Sequence, residues 1–171
     1  MYARSLVSGL YGRVGIVLPN YQNCACDLLI VDDDTAQVQL LKALLHELGL
    51  AHRCHHALSG DIALAFLNRA PPYQNAPRPH LILLDLNMPG MDGCEVLHRI
   101  KGDPKFLTIP VIVLSNSQSS QDVDACYNGH ANAYLVKPGN LDAALAMVQS
   151  IDRFWCGTAQ VCPQMNALEA E

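Results

Sequence analysis

The sequence predicts an α/β fold, a doubly wound parallel sheet of five strands with five helices packed on its two faces. Two observations carry that reading. Five short apolar runs alternate with stretches of helical period, the pattern of strand–helix–strand crossover units. Four of the five runs stop abruptly at a polar residue, namely Asp32, Asp85, Ser115 and Lys137. In such a sheet, ligands gather at the carboxyl ends of the strands.

The first run, residues 28–31, is continuously apolar, as a strand buried on both faces must be, and it ends in Asp32-Asp33-Asp34. From Thr35 the period becomes helical, with Val38, Leu41, Leu45 and Leu48 on one stripe and Gly49 as the stop. Residues 50–58 read as the second strand, and Ser59 as the cap of a helix that buries Ile62, Ala63 and Phe66. A loop marked by Pro71, Pro72, Pro77 and Pro79 leads into the third strand, 80–84, which delivers Asp85. A short helix over 92–101 turns Val96, Leu97 and Ile100 inward. Residues 110–114 form the fourth strand, 120–128 the next helix and 133–136 the fifth strand. The last helix, 141 to about 156, aligns Leu141, Leu145, Val148, Ile151 and Trp155. Residues 1–26 show no sustained period and read as an arm, leaving 27–156 as the folded domain and 157–171 as a tail.

Composition narrows the function classes. The 171 residues carry 11 Lys and Arg against 16 Asp and Glu, a formal charge of -5, so a basic nucleic-acid surface is not expected. No apolar run approaches the roughly 20 residues of a membrane span, and the patch at 14–18 is too short for a signal sequence. Seven cysteines include no CxxC pair, and the Cys24-Ala-Cys26 spacing lacks a second pair downstream. Free thiols in a reducing cytoplasm are therefore expected.

The strand ends carry the chemistry. Clustered carboxylates at Asp32, Asp33 and Asp85 repel one another and raise their own pKa values unless a cation joins them. Mg²⁺ takes oxygen ligands and keeps several waters, so it suits that set. With Lys137 and a hydroxyl at Ser115, the site offers positive potential for a phosphoryl group and a carboxylate to attack it.

These residues resemble the receiver domain of two-component response regulators. The matching elements are Leu29-Ile-Val-Asp32-Asp33, Leu83-Leu-Asp85-Leu-Asn-Met-Pro-Gly-Met-Asp-Gly93, Val113-Leu-Ser115 and Ala133-Tyr-Leu-Val-Lys137-Pro138, together spanning about 27–156. The resemblance implies a flavodoxin-like strand order 2-1-3-4-5 and phosphorylation of Asp85 by a histidine kinase. It makes Asp33, Asp85 and the backbone carbonyl of Asn87 ligands of Mg²⁺, with Asp32 assisting through water. Ser115 becomes the switch hydroxyl, Lys137 a phosphoryl contact, Tyr134 the aromatic switch and Lys137-Pro138 a cis peptide. Asn87 and Asn116 would tune access to the phosphoryl group; Asn116 departs from the small residue usual there. Such a receiver is not an enzyme on other substrates, although it catalyses its own phosphorylation and dephosphorylation.

The last third is similar to phytochrome-associated single-domain regulators, through 109–115, Gly139-Asn140-Leu141 and Ile151-Asp-Arg-Phe-Trp155. That similarity implies a light-sensing kinase as partner and a homodimer, with Phe154 free for an interface while Trp155 packs. Output through protein contacts is expected, since 157–171 leaves no room for a DNA-binding domain. A phosphorelay intermediate is the alternative within signalling. An aspartate-nucleophile phosphohydrolase would need a second acid two residues after Asp85, where Asn87 stands. His52, Cys54 and His56 share one face of a strand, but without a fourth ligand they read as structural.

Overall fold

The computed structural model describes residues 25–159, so the expected arm and tail fall almost wholly outside the described residues. The strands are β1 Asp27–Val31, β2 Arg53–Ala57, β3 Leu81–Asp85, β4 Val111–Ser115 and β5 Ala133–Val136. The helices are α1 Thr35–Glu47, α2 Gly60–Leu67, α3 Gly93–Gly102, α4 Ser120–Asn128 and α5 Leu141–Ile151. All strand pairs are parallel, in the order β2-β1-β3-β4-β5. This is the predicted doubly wound, flavodoxin-like sheet.

The three central strands are buried at every position, and the pleat divides their side chains between two cores. Leu28, Ile30, Leu81, Leu83, Ile112 and Leu114 face α1 and α5, meeting Val38, Leu41, Val148 and Ile151. Leu29, Val31, Ile82, Leu84, Val111 and Val113 face α2, α3 and α4, meeting Phe66, Val96, Leu97, Ile100 and Cys126. Each such side chain contributes about 1.5–3 kcal/mol of burial, which is why the runs must be apolar on both sides. Helix starts are fixed locally: Asp34, Ser59, Asp92 and Asn140 each accept a backbone N–H of the following turn.

Three expectations shift. The second strand begins at Arg53 rather than at 50, because the Leu50 N–H closes the end of α1 on the Leu45 carbonyl and Gly49 turns the chain at φ 68°. The last helix stays regular only to Ile151 and continues as a π-helical segment, Asp152–Thr158. Within α5, Leu141 is 61% exposed and Ala144 takes the expected buried place.

The amino edge of the sheet is pinned by Asp27, whose side chain is 3% exposed. It accepts from Arg53 Nε at 2.8 Å and Nη2 at 2.6 Å and bonds His55 Nε2 at 3.0 Å. The Arg53 guanidinium, then His55, holds the Asp27 carboxyl down to about 2 against the opposing effect of burial. An unfolded Asp titrates near 3.8, so the folded chain binds fewer protons between those values. The stabilisation is complete above about pH 4 and is lost as pH falls towards 2. Arg53 is 63% exposed and screened, which limits the contribution to roughly 1–2 kcal/mol. Urea unfolding of wild type and Asp27→Asn from pH 6 to pH 2.5 should show the wild-type advantage shrinking with acid; a constant difference would contradict the linkage.

Candidate functional site

Parallel register brings the predicted polar residues to one edge. Val31 pairs with Leu84, so the residues that follow, Asp32 and Asp85, emerge side by side. Ser115 pairs with Val136, and the Lys137 N–H donates to the Ser115 carbonyl at 2.8 Å. Gly93 opens α3 so close to the end of β3 that a Cβ there would stand 2.2 Å from the Asp85 carbonyl oxygen. The loop after Asp85 therefore folds back onto the backbone of Asp85 and Leu86.

Asp32, Asp33 and Asp85 each bring one carboxylate oxygen within 4.8 Å of the others, with Asp32 and Asp85 buried and Asp33 exposed. Lys137 Nζ stands 3.0 Å from Asp32 Oδ2 and 3.1 Å from Asp85 Oδ1. The second contact is an ion pair without hydrogen-bond alignment, so Asp85 Oδ1 is buried with no hydrogen-bond partner. Burial pushes the Asp85 carboxyl above its ordinary range; Lys137 opposes that shift, and the Asp32 charge adds to it. Asp32 Oδ1 is committed to the Asp34 N–H at 2.8 Å, while the Asp32 carbonyl is bonded with His56 Nε2 at 2.8 Å.

Ser115 is fully buried, its Oγ accepting the Ser117 N–H at 3.1 Å and, at the long distance of 3.5 Å, Asn87 Nδ2. The Ser117 carbonyl in turn accepts the Tyr134 hydroxyl at 2.9 Å. Asp32, Asp85, Lys137 and Asn116 line a cleft of about 210 Å³ that runs on between α1 and α5. The structure thus brings Lys137 into contact with Asp32 and Asp85, sets a carboxylate oxygen of Asp33 within 4.8 Å of theirs, places Asn87 against Ser115, and connects Tyr134 only through Ser117. One implied feature is absent: Pro71-Pro72 is the cis peptide among the described residues, and Lys137-Pro138 is trans. A prolyl amide favours trans by only about 0.5–1 kcal/mol, too little for sequence to decide the isomer.

The donor set fits a hard divalent cation such as Mg²⁺. It is all oxygen, anionic in excess of its one lysine, and it contains a buried oxygen that no hydrogen bond satisfies. His52, Cys54 and His56 do not converge as a ligand set. Instead His52 meets Cys26 and Cys156, a grouping that sequence reading missed because its members lie far apart in the chain. Contact with Cys156, opposed by burial and aided by His52, draws the Cys26 thiol down to about 5.

The family model of the response regulator receiver domain matches residues 28–149. The response regulator Rcp1 of a Synechocystis species is 44% identical over 131 residues, covering 77% of this chain and 89% of that protein. The phosphorylated cyanobacterial phytochrome response regulator RcpA superposes with a TM-score of 0.77 at 38% identity, over 82% of this chain and 100% of that one. The Mn²⁺-bound form of Rcp1 gives 0.75 at 41% identity, over 81% and 99%.

A cation held by these carboxylates should stabilise the folded chain. Titrating Mg²⁺ or Mn²⁺ during thermal unfolding should raise the midpoint, with about 1.4 kcal/mol added per tenfold excess over Kd. Asp33→Asn should shift the titration to higher concentration; an unchanged curve would remove Asp33 from the ligand set.

Proposed function

The chain belongs to the response regulator receiver family, and from that premise we propose that it is a two-component signalling protein phosphorylated on Asp85 by a histidine kinase. The observation that carries the choice of residue is the buried, unbonded Asp85 Oδ1 beside Lys137. An oxygen without a donor keeps its lone pairs for a new bond, and an adjacent ammonium receives the charge that arrives with a phosphoryl group.

The transfer is a displacement in line at phosphorus. A carboxylate oxygen of Asp85 forms the new P–O bond, the P–N bond of a phosphohistidine breaks, and the leaving imidazole keeps the electron pair and takes a proton from solvent. Asp33, Asp85 and the Asn87 carbonyl, with Asp32 through water, would hold Mg²⁺, which would supply charge neutralisation for the phosphoryl group. Lys137 holds Asp32 and Asp85 together before transfer and turns to a phosphoryl oxygen after it. Asn87 and Asn116, both exposed, stand where an attacking water would approach, so their size sets how long the acyl phosphate lasts.

Signal output runs through Ser115. When its hydroxyl rotates to the phosphoryl group it releases the Ser117 N–H, and Ser117 is the residue whose carbonyl holds Tyr134. Tyr134 can then change position on the face formed by α4, β5 and α5. Support for a phytochrome-type kinase as donor comes from the phytochrome regulators to which the chain is similar. Homodimerisation through the last two strand–helix units fits the exposure of Tyr127, Val136 and Phe154 on that side. The reading places the protein in the cytoplasm, with output by protein contact and neither DNA nor membrane as a direct partner. A phosphohydrolase is disfavoured because the Asn87 amide, turned to Ser115, is neither acidic nor basic enough to exchange a proton with a leaving group.

Incubation with a small phosphodonor and Mg²⁺, followed by mass spectrometry, should show one acid-stable, base-labile phosphoryl group per chain. Asp85→Asn should abolish it, and persistent labelling would overturn the assignment. Sedimentation should show a dimer that Phe154→Asp weakens; a monomeric wild type, with and without phosphodonor, would end the dimer reading.

A further inference from the structure

We propose that the amino edge of the sheet, opposite the phosphoryl site, carries a second cation site: Cys26, His52 and Cys156 as ligands for a borderline-soft, tetrahedral cation of the zinc class. The two Sγ atoms and one nitrogen of the His52 ring lie within 4.8 Å of one another. Donors around a tetrahedral zinc stand about 3.5–4 Å apart, given metal–ligand bonds of about 2.0–2.3 Å. Only small adjustments separate the cluster from that geometry.

The fold itself makes the juxtaposition. Asp27 pairs with Arg53 in the sheet, so the residues just before them, Cys26 and His52, are neighbours, and the Arg53 N–H ties them by donating to the Cys26 carbonyl at 2.8 Å. Cys156 arrives from the π-helical segment after α5, four residues beyond Asp152.

The surroundings are those of a ligand set rather than of stray thiols. Cys26 is 5% exposed and the His52 side chain 2%. Asp152, itself buried, bonds His52 Nε2 at 2.9 Å, the carboxylate–imidazole support that orients metal-binding histidines. Nδ1 accepts the Cys26 N–H at 3.1 Å, and a cation at Nδ1 would displace that amide while leaving Asp152 in place. Leu28, Leu45, Leu83 and Val148 wall the cluster on one side beside His52 and the half-buried Cys156. Two sulfurs and an imidazole select zinc-class cations over Mg²⁺, whose preference for oxygen sends it to the opposite edge. The fourth position is left for water or a further donor.

The test uses the full chain, reduced, stripped of metal and held in excess Mg²⁺ to saturate the carboxylates. Titration with Co²⁺ should give one equivalent with thiolate-to-cobalt charge-transfer absorption, displaced by Zn²⁺. Cys156→Ser should weaken binding by roughly tenfold or more, and Asp152→Asn by about 10–100-fold with the stoichiometry kept. Cys94→Ser should leave it unchanged. Absence of a stoichiometric site, or wild-type affinity in Cys156→Ser, would overturn the proposal. Because Cys26 sits at a buried strand end and its replacement strains the fold, a measurement on wild type completes the test. Zn²⁺ should protect Cys26 and Cys156, but not Cys94, from alkylation mapped by mass spectrometry. Equal labelling with and without Zn²⁺, or a Cys26–Cys156 disulfide forming as readily in its presence, would equally overturn it.

Discussion

Lys137 reaches from the end of β5 to two buried carboxylates, on β1 and β3, that would otherwise repel each other. Asp32 and Asp85 owe their nearness to backbone register, which places successive strand ends side by side whatever charge they carry. The sheet imposes the repulsion together with burial, and burial first, then the Asp32 charge, still holds the Asp85 carboxyl above its ordinary range against the opposing ammonium. A site in that condition is poised: a divalent cation would relieve the excess negative charge, and the phosphoryl group of the proposed transfer would meet a lysine already in place. Stability and chemistry draw on the same three side chains.

The sheet can bear this tension because the interior of its central strands, between Asp27 and the carboxyl ends, carries no polar side chain to compete. Its three central strands are apolar on both faces, so the carboxyl edge is the first place along each strand where charge can reach water. The same logic explains the path from Ser115 to Tyr134. Ser115 ends a fully buried strand, and its hydroxyl finds partners only in the turn that follows. Whatever moves that hydroxyl must disturb Ser117 and, through its carbonyl, the ring on the neighbouring strand.

What could be read in the sequence follows from how strongly each position is constrained. β1, β3 and β4 are buried on both sides, so their composition is nearly forced and their ends stand out. The edge strand β2 carries Arg53, Cys54, His55 and His56, whose roles depend on partners elsewhere, and its start was misplaced accordingly. Asp32, Asp33, Asp85, Ser115 and Lys137 were visible because each closes an apolar run. The trans Lys137-Pro138 bond was not, since its isomer depends on small energies. The passage of α5 into a π-helical segment was equally hidden, because no residue before Gly157 breaks the helical pattern. Cys26, His52 and Cys156 gave no joint signal, since only the closed fold unites them.

The two edges of the sheet differ in the donors they offer a cation, and this difference would let one small domain carry both proposed ions. β1 runs between them, with Asp32 just past its carboxyl end and Cys26 just before its amino end, separated by roughly 20 Å of extended chain. Oxygen donors at one edge and sulfur and imidazole at the other discriminate by ligand softness. Charge on either cation is screened from the other by distance. Coupling between the edges would therefore have to be mechanical. α5 supplies the route, since it packs on the same core face as Ile30 and Leu114 and ends in the segment that carries Asp152 and Cys156. A cation fixed there would stiffen the end of the helix beside which Phe154 is exposed, making the surface proposed for dimerisation sensitive to the amino edge as well as to phosphorylation.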